Sequence, residues 1–143
     1  MSKVFEDEFM DLQADCISLC LEVVQDRADK IFAYCSIEKT SSMFNAFFEV
    51  NNEIKMLGQL GVNDNLVMQF LRLGTHDLEK YVELGKRYDR PVPTEIKMVY
   101  DTHTRKLETQ YRYEEVCGAN SALCAEEVFM DWFKKVQKGE SAF

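Results

Sequence analysis

The sequence predicts an α+β fold, an antiparallel sheet of about five strands with helices packed on one face. Three observations carry that prediction. Three segments place apolar residues three and four apart, as helices buried on one side do. Shorter runs alternate apolar and polar residues, as half-buried strands do. These runs come in hairpin groups and do not alternate regularly with helices, which favours antiparallel pairing. The predicted order is α-β-β-β-α-β-β-α, in a chain whose 143 residues make one domain, 1–143.

Each element follows from its pattern. Phe5, Phe9, Leu12, Cys16, Leu19, Cys20 and Val23 form one helical stripe, with Glu6, Asp7 and Glu8 near the first turn, where the helix dipole favours acids. "KIFAYCSI" (30–37) and "MFNAFFEV" (43–50) are β-rich runs separated by the polar "EKTSS". In the second run Phe44, Ala46, Phe48 and Val50 share a face opposite Met43, Asn45, Phe47 and Glu49. An "NNE" turn leads into "IKMLGQL" (54–60), a third strand weakened by Gly58.

From Asp64, a candidate cap, the period becomes helical through Leu66, Phe70, Leu73, Leu78, Tyr81, Leu84 and Tyr88. Pro91 and Pro93 force an extended exit. "EIKMVYDTHTRKLETQYRY" (95–113) then reads as a hairpin with Ile96, Met98, Tyr100, Leu107, Tyr111 and Tyr113 on one parity. Asn120 or Ser121 can cap a last helix striped by Val128, Phe129, Trp132, Phe133 and Val136. Residues 139–143, "GESAF", are expected to fray.

Composition narrows the class of function. Hydrophobic residues make up 46% and charged residues 29%, the balance of a globular chain. No apolar run reaches membrane-spanning length, and the acidic start "MSKVFEDEFM" is unlike a signal peptide, so the expected location is the cytoplasm. The net charge of −8 is uneven, because residues 1–29 hold eight acids against Lys3 and Arg27. That balance argues against a nucleic-acid partner, whose phosphates need cations, and suits a basic protein.

The five cysteines (16, 20, 35, 117 and 124) form no CxxC, and with two histidines they make no zinc-site spacing. Cys16 and Cys20 lie four apart on a helix, a separation that rarely allows a disulfide, so reduced, buried thiols are expected.

A search for chemistry returns little. His103 lies two residues after Asp101 in the turn "DTHTRK", a pairing that suggests a general base but also suits an ordinary solvated turn. His76 beside Asp77 reads as a helix-surface residue. The six glycines make no GxGxxG or P-loop, and no serine lies in GxSxG. The expectation is a protein without catalytic residues, cofactor or metal.

The remaining candidate is a surface. On the parity assigned to solvent lie Tyr34, Glu38, Phe47, Glu49, Glu95, Glu108 and Arg112, aromatics set among charges, as at interfaces with a protein partner. The opposing possibility is that Tyr34 and Phe47 pack under a helix or loop. Ile31, Ala33, Cys35 and Ile37 are apolar too, so the first strand's pattern leaves its facing open.

The succession of an amphipathic helix, "ADKIFAYCSIE", the aromatic strand "MFNAFFEV" and the hairpin "TEIKMVYDTHTRKLETQYRYEEV" resembles the YezG-type immunity (antitoxin) family of bacteria. The likeness spans roughly residues 5–116. It implies a small acidic cytoplasmic protein that binds and neutralises a secreted nuclease toxin. The alternatives are an acidic adaptor or secretion-chaperone-like module, and an enzyme whose groups meet only in space.

Overall fold

The computed structural model describes residues 4–38, 41–117 and 121–143. Helix α1 (Phe5–Val24) leads into strands β1 (Lys30–Ile37), β2 (Ser42–Val50) and β3 (Glu53–Lys55). A short 3-10 turn (Leu57–Leu60) precedes helix α2 (Asp64–Tyr88), followed by β4 (Glu95–Asp101), β5 (Leu107–Arg112) and helix α3 (Ser121–Gln137). The five strands form one antiparallel sheet in the order β3-β2-β1-β4-β5, and the element order is the one the periodicities predict.

β1 is the central strand, and its neighbours set its register. Ala33 pairs with Ala46 of β2 and with Met98 of β4, while Tyr34 pairs with Asn45 and Lys97. The β2–β3 connection is a two-residue turn in which Asn51 and Asn52 both have positive φ, 52° and 66°. Asparagine tolerates this conformation, and its twist matches that of the flanking strands. β3 ends at Lys55, short of the predicted 54–60, because the chain turns into the 3-10 segment closed by Gly61 at φ +78°. The cap of α2 is Asn63, one residue before the predicted Asp64, and its side chain accepts the Asn65 amide. Of the two expected caps of α3, Asn120 lies outside the described residues, and Ser121 is described in its backbone alone.

Helices cover both faces of the sheet, which corrects the one-face expectation. α1 and α2 pack antiparallel on the face made by Ile31, Ala33 and Cys35 of β1 with Phe44, Ala46 and Phe48 of β2. α3 lies on the other face, where Phe129, Trp132 and Phe133 cover Phe32, Tyr34 and Phe47. The cause is β1 itself, apolar on both parities, and a central strand of that kind must be buried twice.

Gly74 lets α2 approach the sheet, since a Cβ there would fall 2.1 Å from the Phe44 ring. Gln13 of α1, fully buried, bonds the Tyr111 hydroxyl at 2.9 Å and anchors the helix to β5. The tail after α3 lies against the helix. It folds back so that the Trp132 indole N–H donates to the Ala142 carbonyl at 3.0 Å. No helix among the described residues is long and apolar enough to cross a membrane.

Candidate interaction surface

The seven residues predicted to bind a partner share one face of the sheet, but that face is not open. Phe47 stacks on Phe32 at 4.7 Å and is boxed in by Phe129, Trp132 and Phe133 of α3. Tyr34 lies beside it, against Phe129 and Trp132. Both are core, because the aromatic parity of β1 and β2 is what α3 covers. Glu95 is 2% exposed and accepts the Tyr34 hydroxyl at 2.9 Å, with Arg112 Nε 3.5 Å from its other oxygen. Burial, then the Glu95 charge, push the Tyr34 pKa up, which keeps it a hydrogen-bond donor.

Glu38 is tied down as well, accepting the Val116 and Cys117 amides at 2.7 and 3.2 Å. Lys97 places its ammonium 5.5 Å from the centre of the Trp132 ring, and burial lowers its pKa. Glu49, Glu108 and Arg112 remain at the rim, half-buried or exposed. The predicted set is therefore brought together, three of its members as interior residues and the rest as a border around α3. Tyr34, Phe47 and Glu95 are closed off beneath α3, while Glu49, Glu108 and Arg112 stay accessible at its border.

The histidine suspected of pairing with Asp101 pairs elsewhere. His103 Nε2 lies 2.9 Å from Asp29 Oδ1, at the exit of α1, while Asp101 Oδ1 accepts the backbone amides of His103 and Thr104. Asp29 raises the His103 pKa and is itself lowered by it. The imidazole is 74% exposed, as a turn residue is. His76, also exposed, lies 3.8 Å from Glu79 one turn on.

Among the described residues no group of three or more His, Cys, Asp or Glu could hold a metal ion. Cys16, Cys20 and Cys35 are free and buried, as expected. Hydrogen bonds from Cys20 and Cys35 draw the Cys16 pKa down; burial pushes that of Cys20 up, and the hydrogen bond with Cys16, then burial, pushes that of Cys35 up. Cys117 and Cys124, in contrast, form a disulfide that joins the segment after β5 to the first turns of α3. Disulfides are characteristic of oxidising compartments, so this pair stands apart from the cytoplasmic expectation.

What the sequence reading missed lies on the outer side of α1 and α2. Leu66 and Leu73, assigned to the buried stripe of α2, are 53% and 45% exposed. With Leu19 and Val23 of α1 they line a hollow of about 330 Å³ between the helices. A second hollow, about 500 Å³, lies towards the other end, between Leu12 of α1 and Leu84 of α2. A small cavity of about 10 Å³ lies between them, sharing Leu19 with the first and Leu12 with the second, with Cys16 and Tyr81 in its lining. The Tyr81 hydroxyl is buried and has no hydrogen-bond partner among the described residues.

Acids stand along this groove at Glu8, Asp11, Asp15, Glu22, Asp77 and Glu83. Only two cations line it, Lys80 and Arg87, so the balance is −4. Lys80 already holds Asp77 at 3.2 Å and Arg87 holds Glu8 at 3.0 Å. Near the end of α2, Tyr88 donates to Glu8, and Arg90 pairs with Glu6 at 2.5 Å while its guanidinium lies 4.4 Å from the Phe5 ring. One signal could have found the groove. Both helical stripes are wider than one sheet face can bury.

Against known proteins, the sequence matches no family model and no curated protein.

Proposed function

We propose that this chain is an immunity protein that binds a bacterial toxin domain, a nuclease, and neutralises it by occluding its basic surface. The observation that carries the reading is the charge of the helical layer. α1 exposes Glu6, Asp7, Asp11, Asp15 and Glu22 on the side away from the sheet, in a chain whose net charge is −8. A nuclease must present cations to phosphates, and an acidic protein seated there excludes the substrate without performing a reaction. Opposite fields speed the encounter, and buried apolar anchors slow release. In this reading the protein acts in the cytoplasm, has no catalytic residues and needs no cofactor. Its partner is a protein, not nucleic acid or a membrane.

A second reading, the acidic adaptor or secretion-chaperone-like module, is favoured by the open apolar groove between α1 and α2, since such modules hold helical segments. The two readings part on one experiment. The purified protein is mixed with the toxin domain encoded beside its gene, and complex formation and nuclease activity are measured. Stoichiometric loss of activity with a stable complex is the expected result. Binding with undiminished activity would leave the adaptor reading, and no binding would remove the immunity reading.

A further inference from the structure

The groove between α1 and α2 combines features that a stable, unpartnered surface does not need. Leu66 and Leu73 lie at the edge of the α2 stripe, beside Phe70, Leu78 and Leu84, which are buried. Exposed leucines cost solubility, and an apolar patch rimmed by polar groups is a common mark of an interaction site. Glu8 to Glu22 of α1 bound the groove, a length of about 21 Å at 1.5 Å per residue, or about four helical turns. The walls are acidic on both helices, and their two cations already hold carboxylates.

The floor carries a second, independent sign. Tyr81 is 2% exposed, lines the small central cavity, and its hydroxyl is unsatisfied. A buried hydroxyl without a partner destabilises the fold, and a water or a bound polar group can relieve that cost. The cavity has room for about one water.

We propose that this groove is a docking site for a cationic amphipathic helix of a partner protein. The helix has about four turns and lies between α1 and α2. Its leucine-like anchors, at positions i, i+3, i+4 and i+7, enter the two hollows. Its lysines and arginines face Asp15, Glu22 and Glu83, and a bridging water satisfies Tyr81. This is the helix-in-groove mode of recognition, in which apolar anchors give affinity and flanking charges give register. The proposal rests on the reading of the chain as a protein-binding module. It places the binding on the helical layer, not on the sheet.

The test uses the full chain, isotopically labelled, titrated with a synthetic 15-residue Leu/Lys peptide of helical spacing and followed by amide chemical shifts. The control peptide has the same composition with the spacing scrambled. Shifts confined to residues lining α1 and α2 are expected, with at least tenfold weaker binding for the scrambled peptide. The double variant Leu66→Gln/Leu73→Gln should weaken binding at least tenfold while its unfolding midpoint falls only slightly, since both side chains are about half exposed. Tyr81→Phe, which removes the unsatisfied hydroxyl, should shift affinity less than either. Shifts spread over other surfaces, or equal affinity for the scrambled peptide, would overturn the proposal.

The toxin-domain experiment separates this inference from the broader reading. A toxin domain inhibited equally by wild type and by the double variant removes the groove as its binding site and leaves the immunity reading standing. A groove that takes the peptide while the toxin domain stays active does the reverse.

Discussion

The two faces of the sheet are built differently. The face under α1 and α2 meets helices of 20 and 25 residues, and their apolar side chains exceed what the strands can cover. The surplus, Leu66 and Leu73 above all, emerges on the outer side as a groove. The face under α3 meets one helix of 17 residues and is filled by six aromatic rings, Phe32, Tyr34, Phe47, Phe129, Trp132 and Phe133. It has no surplus. Its boundary is polar, with Glu95 buried against Tyr34 and Arg112 and with Lys97 over Trp132. A face that just closes serves as structure, and a layer with apolar residues left over is where a partner can bind.

The sharpest way to break this comparison is to empty the second face. Phe47 is fully buried and its ring centroid lies 5.0 Å from that of Trp132. Phe47→Ala should destabilise the fold by about 3–5 kcal/mol, the usual range for an aromatic lost from a packed core. Urea unfolding followed by the fluorescence of Trp132, the single tryptophan, measures it directly. A loss below about 1 kcal/mol would mean that α3 is only loosely docked and that the sheet face is available after all.

The first face offers a smaller but cleaner probe at Gly74. The Cβ of Gly74→Ala would overlap the Phe44 ring, which is itself held edge-on by Phe70 at 5.1 Å. Overpacking of this kind costs about 1–3 kcal/mol, and alanine's better helix propensity returns about 1 kcal/mol. A net loss of about 1 kcal/mol is expected, read as a lower urea midpoint at unchanged slope. A stabilised variant would show that α2 can slide outward, and with it the groove would be a movable feature instead of a fixed one.

How much of this was legible in the sequence follows from the same two faces. The alternation of Phe44, Ala46, Phe48 and Val50 against Phe47 and Glu49 is read correctly, because a strand's period of two is a local property. The stripe of α3 is also read correctly, but its side of the sheet is not. Periodicity says that Phe129, Trp132 and Phe133 share a face without saying what they meet. The clue was in β1, where Phe32 and Tyr34 are as apolar as Ile31 and Cys35, so both faces required a cover. Once α3 supplies one, Tyr34, Phe47 and Glu95 pass from surface candidates to core. Leu66 and Leu73 fail in the opposite direction. They obey the helical period yet lie at the edge of an arc wider than the sheet, and only the packing angle of α2 decides which edge is buried. The disulfide was hidden for a similar reason, since the six residues between Cys117 and Cys124 say nothing of how the chain turns between them.

The smallest expected effect lies at the end of the sheet, where His103 of the β4–β5 turn meets Asp29 after α1 and ties the α1 exit to the hairpin. His103 has its pKa raised from 6.5 by Asp29, so its contribution to stability is fully present below that value and is lost as pH rises through the higher folded value. Asp29 has its pKa lowered from 3.8, first by His103 and then by the Asn51 amide, so its contribution is present above 3.8 and is lost as pH falls through the lower folded value. Together they favour the native state most between these limits, in mildly acidic solution. His103→Asn should therefore flatten the decline in melting temperature as pH rises from 6 towards 8, while leaving the groove and both cores untouched. Both groups are solvated, so the change should be slight and should shrink further at high salt. An unaltered pH profile in the variant would show that the turn is held by the Asp101 cap and by Thr102, whose hydroxyl donates to the Ala28 and Asp29 carbonyls, without help from the imidazole.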